Sequence, residues 1–182
     1  EATLPTPPRE LRRWTGWSLS SSGVSDRLDA AFYAPRVQAS RDQVAQSGGV
    51  RCGDIAAATL PARYKRYYVA PGHGRPILSG RQLLQLDPVN LRHVSDRSFK
   101  VPAQYELEVG MIVFGAVGRA EGRQGTPALV TAERDGWLAS NDVMRLRPRP
   151  GVRPAALWLA LAAGQTRLQI NALSFGSVVD HM

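Results

Sequence analysis

A chain of 182 residues, 43% of them hydrophobic, can bury the core of one ordinary domain without disulfides or metals. Its 23 Lys and Arg against 15 Asp and Glu give a net charge of +8, which favours a polyanionic partner, either nucleic acid or an anionic membrane surface. The single cysteine, Cys52, excludes an internal disulfide, and the longest apolar run, residues 155–163, is too short to cross a membrane, so we expect a cytoplasmic protein.

The N-terminal part of the sequence predicts an arm followed by a helix. Residues 1–23 are rich in Pro and Ser and predict a flexible arm, which leaves residues 24–182 as a single globular domain. Pro35 suits the first position of a helix, and glycines at 48 and 49 supply its end, so a helix is predicted over residues 35–46. A second, short helix is predicted to begin near Ser79, which suits an N-cap.

The middle of the chain predicts strands and its end predicts helices. Four runs with strand character, separated by Gly, Pro and Asp, are residues 67–69, 111–114, 128–131 and 143–146. They predict a mixed sheet with long loops. Pro154 then opens an Ala- and Leu-rich stretch that Gly164 closes, and residues 165–173 continue with helical spacing. The expected class is therefore mixed α/β (α+β), with a C-terminal helical pair.

The positive charge is concentrated in two stretches. Eight basic and two acidic residues lie between Arg63 and Lys100, and five basic and no acidic residues lie between Arg145 and Arg167. Together these excesses are larger than the net charge of +8, so the rest of the chain is net acidic, which favours a binding face over general solubility. Residues 63–68 interleave Arg and Lys with Tyr, a composition suited to phosphate, sugar and base contacts, although a solvated strand edge has the same composition.

Catalytic and metal-binding patterns are missing from the sequence. The three histidines, at 73, 93 and 181, form no H-x-x-x-H pair, and no second cysteine could complete a zinc site. No nucleophile elbow, P-loop or dinucleotide fingerprint occurs, and the glycine-rich residues 115–125 are a weak match to a nucleotide site. The acid-and-lysine pattern of nucleases and the Pro-Pro-aromatic pattern of adenine methyltransferases are missing too. We therefore expect a non-catalytic protein without metal or cofactor.

Several motifs follow one another in a fixed order over residues 27–182. They are Arg27-Leu28-Asp29-Ala30 with its following aromatics and Pro35, then 53–55, 63–68, 75–83, 107–119, 137–148 and 175–182. In this order they resemble the target recognition domain of type I restriction-modification specificity subunits. Three positions depart from that pattern: Ala31 replaces an acid, and Phe114 and Ala116 replace hydroxyl residues, while Gly115, Gly118 and Arg119 are kept.

The resemblance implies how this chain would read DNA. Loops of a twisted mixed sheet would reach into the major groove of duplex DNA while basic side chains hold phosphates. From charge and from position within the motifs, our candidates for base reading are Ser79, Arg81, Gln82 and Arg119. Those for the DNA backbone are Arg63, Lys65, Arg66, Arg75 and Arg123, with Tyr64 packing beside them.

The resemblance also implies partners. Double-stranded DNA, a methyltransferase (modification) subunit and a restriction subunit are expected, and either a homodimer or a second recognition domain in a longer native chain would complete the assembly. No membrane is expected to take part. Two other functions stay open from the residues themselves: an RNA-binding module with the same basic surface, and a small enzyme that uses His73 or Cys52.

Overall fold

The computed structural model describes residues 16–25, 27–98, 102–118, 125–173 and 180–181. The helices in these ranges are α1 (Pro35–Gln46), α2 (Cys52–Ile55), α3 (Pro154–Ala162) and α4 (Gly164–Ala172). The strands are β1 (Ala56–Thr59), β2 (Tyr68–Val69), β3 (Arg75–Leu78), β4 (Arg92–Val94), β5 (Ile112–Gly115), β6 (Val117–Gly118), β7 (Ala128–Leu129), β8 (Leu138–Ala139), β9 (Val143–Pro148) and β10 (Asp180–His181). The mixed α/β class predicted from the sequence is confirmed.

The first sheet is antiparallel, with strand order β1-β9-β5-β7. Ile112 at its centre is paired with Leu129 on one side and Leu146 on the other. Helix α3 covers this face through Leu157 and Leu161, which are four residues apart and therefore lie on one side of the helix. Helix α3 and the first sheet thus form a helix-on-sheet layer.

The second sheet is mixed, with strand order β2-β4-β3-β8, and only the β3 to β8 pairing among these strands is parallel. Leu78 of β3 and Ala139 of β8 join Val113 and Val143 of the first sheet in one buried cluster. Because Val113 and Ile112 are adjacent on β5, their side chains lie on opposite faces of the first sheet. The first sheet is therefore packed between α3 and the second sheet.

Helices α1 and α4 pack against each other beside these layers. Val37 of α1 is buried against Ala172 and Leu168 of α4. The hydroxyl of Ser40 donates to the carbonyl of Gln165 at 3.1 Å, which ties the two helices through a buried polar contact. The predicted helix over residues 35–46 and the predicted C-terminal helical pair are confirmed.

Two details of the sequence prediction are wrong. No helix begins near Ser79: residues 80–84 form turns, and the bonds from Gln82 N to Ser79 O and from Gln85 N to Gln82 O span three residues, not the four of an α-helix. A single sheet was predicted, whereas the described strands form two four-stranded sheets and a two-stranded pair of β6 with β10. Strands β1, β3, β4 and β8 had not been predicted. Of the predicted arm, residues 1–15 lie outside the described residues.

Candidate nucleic-acid interface

The outer edge of the second sheet is β2, and exposed aromatic and basic side chains meet there. The Tyr68 side chain is 48% exposed. The guanidinium carbon of Arg92, on the neighbouring strand β4, lies 5.0 Å from the centre of the Tyr68 ring. The positive charges of Arg66 and Arg92 both act on the phenol oxygen, and both lower its pKa. Two cationic groups therefore converge on one exposed hydroxyl.

The pKa of Tyr68 reflects this arrangement. Desolvation acts to raise the pKa of the phenol, but the hydrogen bonds and positive charges of Arg66 and Arg92 outweigh it and hold the pKa below its usual value. Groups that stabilise a phenolate oxygen stabilise other oxyanions by the same charge-assisted hydrogen bonds. The position beside Arg66, Tyr68 and Arg92 is therefore chemically suited to a phosphate oxygen.

The residues on either side extend this edge. The Lys65 ammonium lies 5.0 Å from the centre of the Tyr67 ring, which is 47% exposed. Ser98 accepts the backbone N–H of Tyr67 on its hydroxyl at 2.9 Å, and Ser95 donates to the Tyr67 carbonyl at 2.9 Å. Arg63 is exposed just before them. We call this set the β2 surface, and its members are Arg63, Lys65, Arg66, Tyr67, Tyr68 and Arg92.

Tyr64 lies beneath the β2 surface. Its ring centre is 4.3 Å from that of Tyr105, and it packs against the buried cluster that contains Ile77 and Leu138. Desolvation raises the pKa of the Tyr64 phenol, so it stays protonated at neutral pH. The Arg66 guanidinium carbon lies 5.2 Å from the centre of the same ring. Tyr64 therefore packs beneath Arg66. Its side chain is less exposed, and so less accessible to DNA, than that of Tyr67 or Tyr68.

A polar turn anchors the inner side of Arg66. Its guanidinium donates to the side-chain oxygen of Asn141 and to the hydroxyl of Ser140, the latter at 3.5 Å. Asp142 accepts a hydrogen bond from the Asn141 amide at 2.8 Å, which fixes the orientation of that amide. The motif over residues 137–148 therefore contributes the side chains that accept hydrogen bonds from Arg66.

Arg145 holds this turn from inside the protein. It is 3% exposed, and burial lowers its pKa to about 10, so it is still charged at neutral pH. Its guanidinium donates to the backbone carbonyls of Tyr105, Ala139, Ser140 and Val143. This buried cation lies under the same turn as Arg66 and adds to the positive potential there.

Arg75 is engaged by two carboxylates. Its Nε lies 2.9 Å from Asp96 and one terminal nitrogen lies 3.0 Å from Glu106. These pairs compensate its charge and hold its donors, so a phosphate would have to compete with them. The sequence prediction of a DNA-backbone contact from Arg75 stays a prediction.

Two of the predicted base-reading residues, Ser79 and Gln82, bind each other. The Gln82 side-chain oxygen accepts the N–H of Ser79 at 3.0 Å and its hydroxyl at 2.9 Å, and the Gln82 amide nitrogen donates to the carbonyl of Val89 at 2.8 Å. Arg81 lies between them and is exposed. The geometry leaves Arg81 better placed than Ser79 or Gln82 for a base contact.

The remaining candidates, Arg119 and Arg123, lie outside the described residues. The ends of their segment are close together, because Gly125 N donates to the Gly115 carbonyl at 3.1 Å. At one end β6 pairs with β10, with Gly118 opposite Asp180. Gly115 and Gly125, on either side of the undescribed residues, therefore lie close together.

Sequence reasoning did not select Arg92 as a site residue. Arg92 is 24 positions after Tyr68 in the chain, and only the pairing of β2 with β4 brings its guanidinium over that ring. The only sequence feature that pointed to Arg92 as a binding residue was its position within the basic stretch 63–100. The short run of Arg92 to Val94 did not predict a strand.

Catalytic and metal chemistry finds little support among the described residues. No group of three or more His, Cys, Asp or Glu there could hold a metal ion. Desolvation raises the pKa of the Cys52 thiol, which is the opposite of what a nucleophilic thiolate requires. His73 is exposed in the turn between β2 and β3. Across the same part of the chain, no helix has the length and hydrophobicity to cross a membrane.

Comparison with known proteins gives matches in structure. The chain resembles the HsdS subunit from Thermoanaerobacter tengcongensis, with a TM-score of 0.50 and 17% identity over 80% of this chain and 40% of that one. It also matches the S subunit of a type I restriction-modification system from M. genitalium, with a TM-score of 0.48 and 13% identity over 73% of this chain and 30% of that one. The chain thus spans less than half of either protein. No protein-family model and no curated protein matches.

Proposed function

We propose that this chain is a target recognition domain that reads double-stranded DNA for a restriction-modification system and has no catalytic centre of its own. The observation that carries the proposal is the β2 surface, where Arg66 and Arg92 converge on the exposed Tyr68 hydroxyl and create a site for a phosphate oxygen. The ordered motifs and the fold shared with part of an HsdS subunit support it.

Within this proposal the basic residues divide between two tasks. Arg63, Lys65 and Arg92 are exposed on the β2 surface and hold phosphates, while Arg66 supports them. Arg81, on the exposed loop after β3, reads a base edge, since a guanidinium can bind guanine with two hydrogen bonds. Two further arginines outside the described residues complete the set, at positions 119 and 123.

The proposal also extends to the assembly. The chain covers 40% of the HsdS subunit it resembles, so a second recognition domain or a second copy of this chain would read the other half of the site. Methyltransferase and restriction subunits would then supply the chemistry that this domain lacks. We place the assembled complex in the cytoplasm.

The proposal is tested by selecting binders from a random duplex DNA library and measuring the affinity of the selected duplex as salt is raised. We expect an enriched motif, and an affinity that falls steeply with salt because each phosphate contact contributes about −0.9 to the slope of log K against log salt. Failure to enrich any motif over several rounds would contradict sequence-specific recognition.

RNA binding is the alternative that a specific observation favours. Tyr67 and Tyr68 are both about half exposed beside basic side chains, and unpaired bases stack on such rings. A competition experiment decides between the two functions. With the selected duplex bound as a labelled probe, unlabelled duplex DNA should displace it far better than single-stranded or duplex RNA of the same length does. The reverse order of competition would support the RNA-binding module.

A further inference from the structure

The loop between β3 and β4, residues 79–91, is tied together at its base. The Gln82 side chain accepts both donors of Ser79 at the start of the loop and donates to the carbonyls of Val89 and Asn90 at its end, at 2.8 and 3.3 Å. Asn90 adopts the left-handed backbone conformation, with φ of 55°, which turns the chain back towards β4. One amide therefore connects the two ends of this loop, which we call the β3–β4 loop.

A second side chain, from elsewhere in the sequence, holds the outer half of the β3–β4 loop. Arg134 ends the short 3-10 helix Ala132–Arg134 and donates to the carbonyl of Leu83 at 3.0 Å, to that of Gln85, and to that of Leu86 at 3.4 Å. The fork of a guanidinium can bind several carbonyls at once, which a lysine ammonium does less well. Arg134 therefore fixes the path of the backbone over residues 83–86 of this loop.

The braced β3–β4 loop exposes Leu86 and Asp87, which together we call the tip of this loop. Leu83 is buried in the core, with 3% exposure, whereas Leu86 is fully exposed although its backbone is held. An exposed leucine on a fixed backbone is an apolar group that needs no reordering before it contacts a partner. The next residue is Asp87, also exposed. Its carboxylate repels phosphates but can accept a hydrogen bond from a cytosine amino group, which favours placing the tip against base edges.

Assuming the DNA-reading function proposed above, we infer that Leu86 contacts a thymine methyl group in the major groove and that Arg134 is the positioning residue that holds it there. Apolar side chains recognise thymine through its 5-methyl group, which cytosine and the purines lack at that position in the groove. The loop leads directly into β4 and Arg92, two residues after Asn90, so its C-terminal end adjoins the β2 surface.

The methyl contact is tested with the selected duplex, replacing each thymine in turn by uracil. For the wild-type protein, removal of the contacted methyl should weaken binding about fourfold, the factor for one apolar carbon of this size. For Leu86→Ala the same replacement should have no effect, while Leu159→Ala, an exposed leucine on α3, should behave as wild type. The inference would be overturned if the selected site contained no thymine, or if no thymine-to-uracil replacement weakened binding of the wild-type protein. It would also be overturned if Leu86→Ala lost as much affinity as wild type on that replacement.

The role of Arg134 is tested with Arg134→Lys, which keeps the charge but not the fork. Amide hydrogen exchange over residues 83–89 should speed up. The preference for the selected over a scrambled duplex should fall about fourfold, the size of the methyl contact that Arg134 positions, with affinity for scrambled DNA unchanged. Arg149→Lys is the matched control, because Arg149 also binds a backbone carbonyl, that of Gly53. Unchanged preference in Arg134→Lys would overturn the positioning role. Absence of any selected duplex would instead contradict the proposed function itself.

Discussion

Arg92 is the most accessible of the groups that converge on Tyr68. Its side chain is exposed, whereas Arg66 is half buried and held by Asn141 and Ser140. A phosphate oxygen that approaches the Tyr68 hydroxyl would therefore meet Arg92 without disturbing the protein interior. Because Arg92 stacks over a surface ring, its loss removes a charge and leaves no buried group unpaired.

Arg92→Gln should weaken binding to all duplexes alike. Removal of one phosphate contact should reduce the magnitude of the salt slope by about 0.9 and leave the preference among sequences unchanged. The measurement is duplex affinity at several salt concentrations, with Arg36→Gln, an exposed arginine on α1, as the control that should leave the slope unaltered. A changed sequence preference at an unchanged slope would show that Arg92 reads a base.

Asp29 gives a pH-dependent prediction for stability. Its carboxylate pairs with Arg27 at 2.7 Å and accepts the N–H of Phe32 at 3.2 Å as the N-cap of the 3-10 helix Ala30–Tyr33. The hydrogen bond from Arg27 is the main cause that lowers the pKa of Asp29 below 3.8. A lowered folded-state pKa means that this stabilisation is present above pH 3.8 and is lost as the pH falls through the folded-state value.

Asp29→Ala should therefore lower the free energy of unfolding by about 1 kcal/mol at pH 7, the usual cost of losing a cap. Denaturant titrations at a series of pH values should show the difference from wild type narrowing below pH 3.8. A difference that stays constant down to pH 2 would mean that the charge of Asp29 contributes nothing.

At the scale of elements, local signals predicted the three longer helices, α1, α3 and α4, better than they predicted the strands. Pro35 and the glycines after residue 47 mark the ends of α1, and Pro154 marks the start of α3, so these three bounds follow from backbone chemistry. Strand β1 contains three consecutive alanines, which favour a helix, and it is extended only because it pairs with β9. Strand β3 carries Pro76, which disfavours a strand prediction.

The contact between the two sheets depends on Leu78. This residue has no exposed surface and lies on β3 in the cluster that joins the sheets. Leu78→Ala should lower the free energy of unfolding by about 2 to 5 kcal/mol, because it leaves a cavity in a packed core. In chemical denaturation Leu159→Ala, an exposed change on α3, should differ from wild type by less than about 0.5 kcal/mol. A small effect at Leu78 would mean that the sheets do not depend on each other.

For the whole molecule, the sequence predicted a basic face. It did not reveal which of the Lys and Arg side chains remain free to bind a partner after folding. The interleaved residues 63–68 do lie on the β2 surface and directly beneath it, as their composition suggests. Arg75, however, meets Asp96 and Glu106 only after folding, and Arg145 is enclosed by backbone carbonyls that no spacing rule reveals. Charge counts treat all of these groups alike, whereas tertiary contacts decide which remain accessible.

The central claim is that this chain distinguishes one duplex DNA sequence from another. The most direct measurement is the ratio of its affinities for the selected duplex and for a scrambled duplex of the same composition, taken at one salt concentration near physiological. The account predicts a ratio of about a hundredfold or more, the discrimination that two well-read base pairs provide. A ratio near one, with binding to both duplexes equally sensitive to salt, would contradict it.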